Sequence, residues 1–134
     1  MKKIISIVIC FTVILSFTAC GGNVKELKIR DVESEMYTQE DISEAIETIK
    51  KEFESNWEGC SLKEIYYAGD DISNDYQAWA DRHNADEVIV LLSSYYVEPN
   101  GGDGSLEQDY TYTNWNWILV RTIGGKWVHV DHGY

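Results

Sequence analysis

The chain predicts an α+β domain: one long helix packed on a curved antiparallel sheet, with a short second helix. Three observations carry this. Ile42, Ala45, Ile46, Ile49 and Phe53 recur at helical spacing. Runs rich in β-branched and aromatic residues fill most of the chain after Gly59. The long helix comes first and the strands follow, rather than alternating with it.

A leader precedes the domain. Lys2 and Lys3 open it, and Ile4 to Phe17 form an apolar run interrupted by Ser6, Thr12 and Ser16. A basic head, a short apolar middle and small residues before a break describe a secretory signal peptide. The run is short for a membrane span, and no stop-transfer pattern follows. Its ending, Phe17-Thr18-Ala19-Cys20, resembles the lipobox of bacterial lipoproteins, with Phe17 where that family usually carries Leu. The resemblance implies a signal peptide over residues 1–19 and a diacylglyceryl thioether on Cys20. Two acyl chains such as palmitate suffice for stable anchoring, where one is marginal. The expected location is therefore the extracytoplasmic face of the cell membrane. The alternatives are an ordinary signal peptide, with Cys20 a bystander, and an uncleaved membrane helix.

Cleavage before Cys20 removes Lys2 and Lys3 from the 11 basic residues and none of the 23 acidic ones, leaving a formal charge of −14. Nucleic acid and anionic lipid surfaces need a basic footprint, so neither is an expected partner. The remaining length suits one domain, residues 37–134, with one core. Cys10 lies in the leader and Cys20 is the lipid site, so Cys60 is left without a disulfide partner. Beside Glu58 and Gly59 it reads as a small hydrophobe rather than a reactive thiol.

Residues 20–36 mix charges without a clear apolar period. They read as a tether ending in an ordered piece around Leu27 to Val32, or as an edge strand at the same place. Thr38 to Ser55 is the long helix: Thr38 and Asp41 make a capping-box-like start, Tyr37 is placed to staple against Ile42, and Gly59 ends the region. Ser61 to Ala68 is a strand and Gly69 to Asn74 a polar turn. A short helix follows to about Asn84, carrying Tyr76, Trp79, Ala80 and His83 inward. Glu87 to Val97 is apolar on both faces at its centre and so interior to the sheet. Glu98 to Leu106 is a loop holding Pro99, Gly101, Gly102 and Gly104. Tyr110 to Ile123 is a long strand, turned by Gly124-Gly125 into a last strand from Lys126 to Asp131. Strict alternation on the long strand puts Trp115, Trp117 and Leu119 on one face and Tyr112, Asn114, Asn116 and Ile118 on the other.

This order, with the ending Trp117-Ile118-Leu119-Val120-Arg121 and Gly125-Lys126-Trp127, resembles the cystatin-like, nuclear-transport-factor-2-like fold found in small bacterial lipoproteins. That fold hosts enzymes, binders and scaffolds, so it implies no activity by itself.

Candidate site residues cluster near the C-terminus. Trp115, Trp117 and Trp127 are an aromatic platform for sugars or apolar ligands, or else core filling. In the latter case Tyr112, Asn114 and Asn116 become the binding strip. His129 and Asp131 share a face of the last strand under strict alternation, a pairing that suits a metal or a base with its orienting carboxylate. His132 lies next door. A zinc site needs a third protein ligand and only His83 remains among the histidines, so no metal and no cofactor is expected. Asp70–Asp75 and Asp103–Asp109 imitate calcium loops. Counted from Asp71 and Asp103, the sixth positions are Tyr76 and Gln108 where Gly is required, so both read as turns. No phosphate-cradling loop and no Gly-x-Ser-x-Gly elbow is present. The expected function is a binding or interaction module at the bacterial cell surface, without catalysis. The alternatives are a small-molecule binder or enzyme using the concave sheet face, and a docking subunit for an envelope protein.

Overall fold

The computed structural model describes residues 21–134. The leader, Cys10 and the proposed lipidation at Cys20 lie outside them. In chain order the elements are β1 (Lys28–Arg30), α1 (Gln39–Asn56), β2 (Cys60–Tyr67), α2 (Asp70–Asp75), α3 (Gln77–Arg82), β3 (Glu87–Val97), β4 (Tyr110–Arg121) and β5 (Val128–Gly133). They form an α+β domain with one five-stranded sheet in the order β1-β2-β3-β4-β5. Among the described residues no helix is long and apolar enough to cross a membrane.

The sheet is mixed, which corrects the antiparallel expectation. β1 runs parallel to β2, with Ile29 opposite Ile65, because α1 carries the chain back between them as a crossover. The other pairings are antiparallel. Residues 21–36 are packed on the domain rather than strung out as a tether. Asn23 N–H donates to the Cys60 carbonyl (2.8 Å) and Leu62 N–H to the Asn23 carbonyl (2.8 Å). Val24, Leu27 and Val32 pack against the main core. Asp70 pins the far end of the segment, accepting from Ser34 Oγ (2.5 Å), Glu35 N–H (2.9 Å) and Tyr67 Oη (2.7 Å).

α1 forms where the isoleucine stripe predicts a helix. Thr38 Oγ1 accepts from Asp41 N–H (3.1 Å), and Thr38 N–H donates to Asp41 Oδ2 (3.0 Å), a complete capping box. Ile42, Ala45, Ile46, Ile49 and Phe53 are buried against Ile65, Ile89, Leu91, Trp117 and Leu119 of the sheet. The opposite sheet face packs Val88, Ile118 and Val120 against Ala80, with Tyr76 and Trp79 alongside. The segment expected as a polar turn is α2, and the single short helix is in fact the pair α2 and α3. Ser73, buried, explains part of this: its hydroxyl accepts from Val90 N–H (3.2 Å), tying α2 to β3 where β2 has ended.

Two bulges overturn the strict alternation. Ser93 pairs with Trp115 and Tyr95 with Tyr112, so two steps on β3 meet three on β4. The extra residue is absorbed around Asn114, at φ +54°. Tyr112 therefore joins the face of Trp115, with its ring stacked on Tyr95 at 5.2 Å. On β5, Leu119 pairs with His129 and Ile118 with Asp131, so Val130 is the extra residue. His129 and Asp131 then face opposite sides, and His132 takes the place beside His129.

Candidate functional site

A cleft of about 510 Å³ opens at the C-terminal end of α1, lined by residues of that end, the loop before β4, and the β4–β5 pair. Its size suits a small ligand. Phe53 accepts Trp57 N–H (3.1 Å) as the helix ends, and the Trp57 ring lies parallel to the Phe53 ring at 5.6 Å. The last turn carries no basic residue, so no side-chain cation answers the negative pole of the helix.

The loop is held by a close backbone approach. Gly59, at φ +71°, and Gly101 lie so near that a Cβ on Gly101 would sit 2.1 Å from the Gly59 carbonyl oxygen. That contact lets Glu98 N–H donate to Gly59 (2.9 Å) and Gly102 N–H to Glu58 (2.9 Å). Asp103, Ser105 and Leu106 are thereby set along one wall. Asp103 accepts from Ser105 N–H (2.9 Å) and from the Ser105 hydroxyl. These bonds, the hydroxyl's first, hold its carboxyl below the usual range. So the second calcium-like stretch contributes a cleft wall. Among the described residues no three His, Cys, Asp or Glu side chains converge as metal ligands.

The other wall is aromatic. Trp57 and Trp115 stand edge to face, 5.9 Å apart at 83°, and His132 stacks on Trp115 at 5.9 Å and 26°. Behind them Tyr95 touches Trp57 (5.2 Å) and Trp115 (5.3 Å). The Tyr95 hydroxyl and Trp115 Nε1 are buried without a hydrogen-bond partner among the described residues. Cys60 lines the cleft at 2 % exposure. Burial, with Asp103 and Glu98 nearby, pushes its thiol up to about 11, so it stays protonated and unreactive at neutral pH.

The predicted site residues are dispersed. Trp115 lines the cleft. Trp117 is fully buried, and its Nε1 donates to Ser93 Oγ (2.7 Å). Trp127 lies at the opposite end of α1, donating to the Asp41 carbonyl (3.0 Å). His129 sits behind the cleft, its Nδ1 3.9 Å from Glu52 and its Nε2 3.3 Å from His132 Nδ1. Burial is the main cause that lowers its imidazole below the usual value, against the pull of Glu52. Asp131 lies on the other sheet face, in a hollow of about 320 Å³ with Tyr76, Trp79 and Arg82. His83 stacks on Trp79, whose ring packs on that same face. The alternative strip is also split. Tyr112 turns toward the core, Asn114 occupies the bulge, and Asn116 donates to Tyr76 Oη (3.5 Å).

Sequence reasoning missed Trp57, Leu106 and the carboxylates Glu52 and Glu58 that share the cleft, noted His132 only as a neighbour of His129 and Asp131, and read Asp103 as part of a turn. One signal was available: Trp57, four residues after Phe53, continues the apolar stripe just past the end of the helix. Compared with models of known protein families, with characterised proteins and with solved structures, the chain matches none.

Proposed function

We propose that this protein is a lipid-anchored, extracytoplasmic binding domain that takes a small ligand in the cleft at the end of α1. The observation that carries the reading is the cleft itself, an open recess with one aromatic and one acidic wall beside the packed main core. The long helix packed on the antiparallel strands β2 to β5 supports the finer assignment, a cystatin-like, nuclear-transport-factor-2-like domain, from which the parallel β1 departs. Separation of His129 from Asp131 removes the pairing on which the enzyme alternative was drawn.

The anchor and the cleft belong to the same end of the molecule. Gly22 N–H donates to the Phe53 carbonyl (2.9 Å), one residue from Glu52 of the cleft. Both glycines after Cys20 lie tight on the helix end, where a Cβ on Gly22 would meet the Phe53 ring at 2.4 Å. Two residues of chain reach at most about 7 Å, so lipidation at Cys20 holds the cleft close to the bilayer rather than at the end of a long tether.

Two experiments test this. Cys20→Ser should move the protein from the membrane fraction to the soluble extracytoplasmic fraction; retention in the membrane sinks the anchor. Melting of the full chain in detergent against metabolites and cell-wall glycans should reveal the ligand. One present at a hundred times its dissociation constant adds about 2.7 kcal/mol, a shift of several degrees for a domain of this size. A ligand whose shift survives substitution of Trp115 and Leu106 is bound elsewhere and rules out the cleft.

A further inference from the structure

We propose that the cleft takes a small organic ammonium ion on a short hydrocarbon body; this rests on the reading of the cleft as the ligand site. Its lining carries the carboxylates of Glu52, Glu58 and Asp103 and neither Lys nor Arg. The carbonyl pole of α1 adds to the same sign. The formal charge of the lining is therefore negative, which disfavours anionic ligands. The indoles of Trp57 and Trp115 and the side chain of Leu106 supply apolar wall to an alkyl body and π-faces to a cation.

The molecule already shows this chemistry filled at the other end of the same helix. There the Arg121 guanidinium lies 4.1 Å over the Trp127 ring, between Asp41 (3.1 Å) and Glu87 (3.4 Å). The cleft repeats the parts, indole and carboxylates, and its lining provides neither Lys nor Arg to fill them. A zwitterion with an anion close to its ammonium fits less well, because that anion would sit among the carboxylates.

The test is titration of the full-length protein in a polyoxyethylene detergent, followed by tryptophan fluorescence and calorimetry. The probes are choline, its neutral isostere 3,3-dimethylbutan-1-ol, and glycine betaine. Choline is expected to bind at least tenfold more tightly than either of the others. The combined Glu52→Gln, Glu58→Gln and Asp103→Asn variant should erase that gap while leaving binding of the alcohol unchanged. Leu106→Arg, which supplies a resident cation, should abolish choline binding, with an unchanged melting temperature showing that the fold is intact. Equal binding of choline and the alcohol, weakened alike by Leu106→Arg, overturns the cation class and leaves the cleft standing. Choline binding that ignores both variants overturns the cleft. No choline binding to the folded wild type overturns the cation class.

Discussion

At the first turn of α1 Thr38 caps the helix, Arg121 bridges Asp41 and Glu87, and Trp127 closes over the guanidinium. At the last turn no basic residue answers the helix carbonyls, and Trp57, Trp115 and His132 frame an open cleft. The two ends use the same residue types to different effect. Tyr37 makes the first end denser still, standing edge-on to Trp127 at 5.5 Å and donating from its hydroxyl to the Val88 carbonyl (2.5 Å). The second end leaves two buried polar atoms, on Tyr95 and Trp115, without a hydrogen-bond partner among the described residues, and the first leaves one, Arg121 Nε, 3.4 Å from Glu87. Buried polar groups are ordinarily paired, and unpaired ones concentrate where a structure serves something other than stability. One helix thus carries a closed ion-pair cluster at one pole and an open recess at the other.

The largest test of that contrast is a pair of truncations. Trp127→Ala should cost about 3 kcal/mol or more in denaturant unfolding, because its ring is buried and leaves a cavity. Trp115→Ala, on a partly exposed residue, should cost about 1 kcal/mol. Equal losses would erase the distinction between a closed and an open end.

Next in size is Arg121→Met. Its side chain is 11 % exposed and holds two carboxylates. Removing one partner of a largely buried pair leaves the others uncompensated, and about 2 kcal/mol should be lost. A loss below half a kcal/mol would mean that the packing of Trp127 alone secures this end. Thr38→Ala should cost about 1 kcal/mol, the usual worth of an N-cap, and its unfolding midpoint checks the capping box independently of Arg121.

The smallest effect separates the ends by pH. Partial burial raises the Asp41 carboxyl, but the Thr38 N–H and hydroxyl and Arg121 together bring it below the usual range. Its contribution is therefore present above about pH 3.9 and is lost as pH falls through the folded value. His129 is pushed down by burial. Its contribution is full above about pH 6.5 and declines as pH falls from there toward its folded value, because the unfolded chain takes the proton first. Between pH 7 and 5 wild type should weaken slightly through the open end alone. His129→Gln should flatten that slope and Arg121→Met should leave it. A slope unchanged by His129→Gln would locate the titration elsewhere.

The legibility of the fold follows the range of the forces involved. The isoleucine stripe, the Thr38–Asp41 cap and the doubly apolar centre of Val88 to Leu92 are local patterns. The structure places them where a period of 3.6 or 2 puts them. The parallel pairing of β1 was not legible, since three exposed residues become a strand only by meeting β2, with Arg30 on Glu64 (2.5 Å) and over Tyr66 (4.1 Å). The site was legible only in Trp115.

What the sequence by itself determined is the longer elements and the buried stripe of α1, because side-chain period is a property of consecutive residues. Which aromatic residues meet was decided by tertiary structure alone. The bulges at Asn114 and Val130 arise from pairing with neighbouring strands. One inserted residue reverses every side chain beyond it. That reversal puts His132 beside Trp115 and sends Asp131 away, and the backbone contact of Gly59 with Gly101 brings Asp103 to the same cleft.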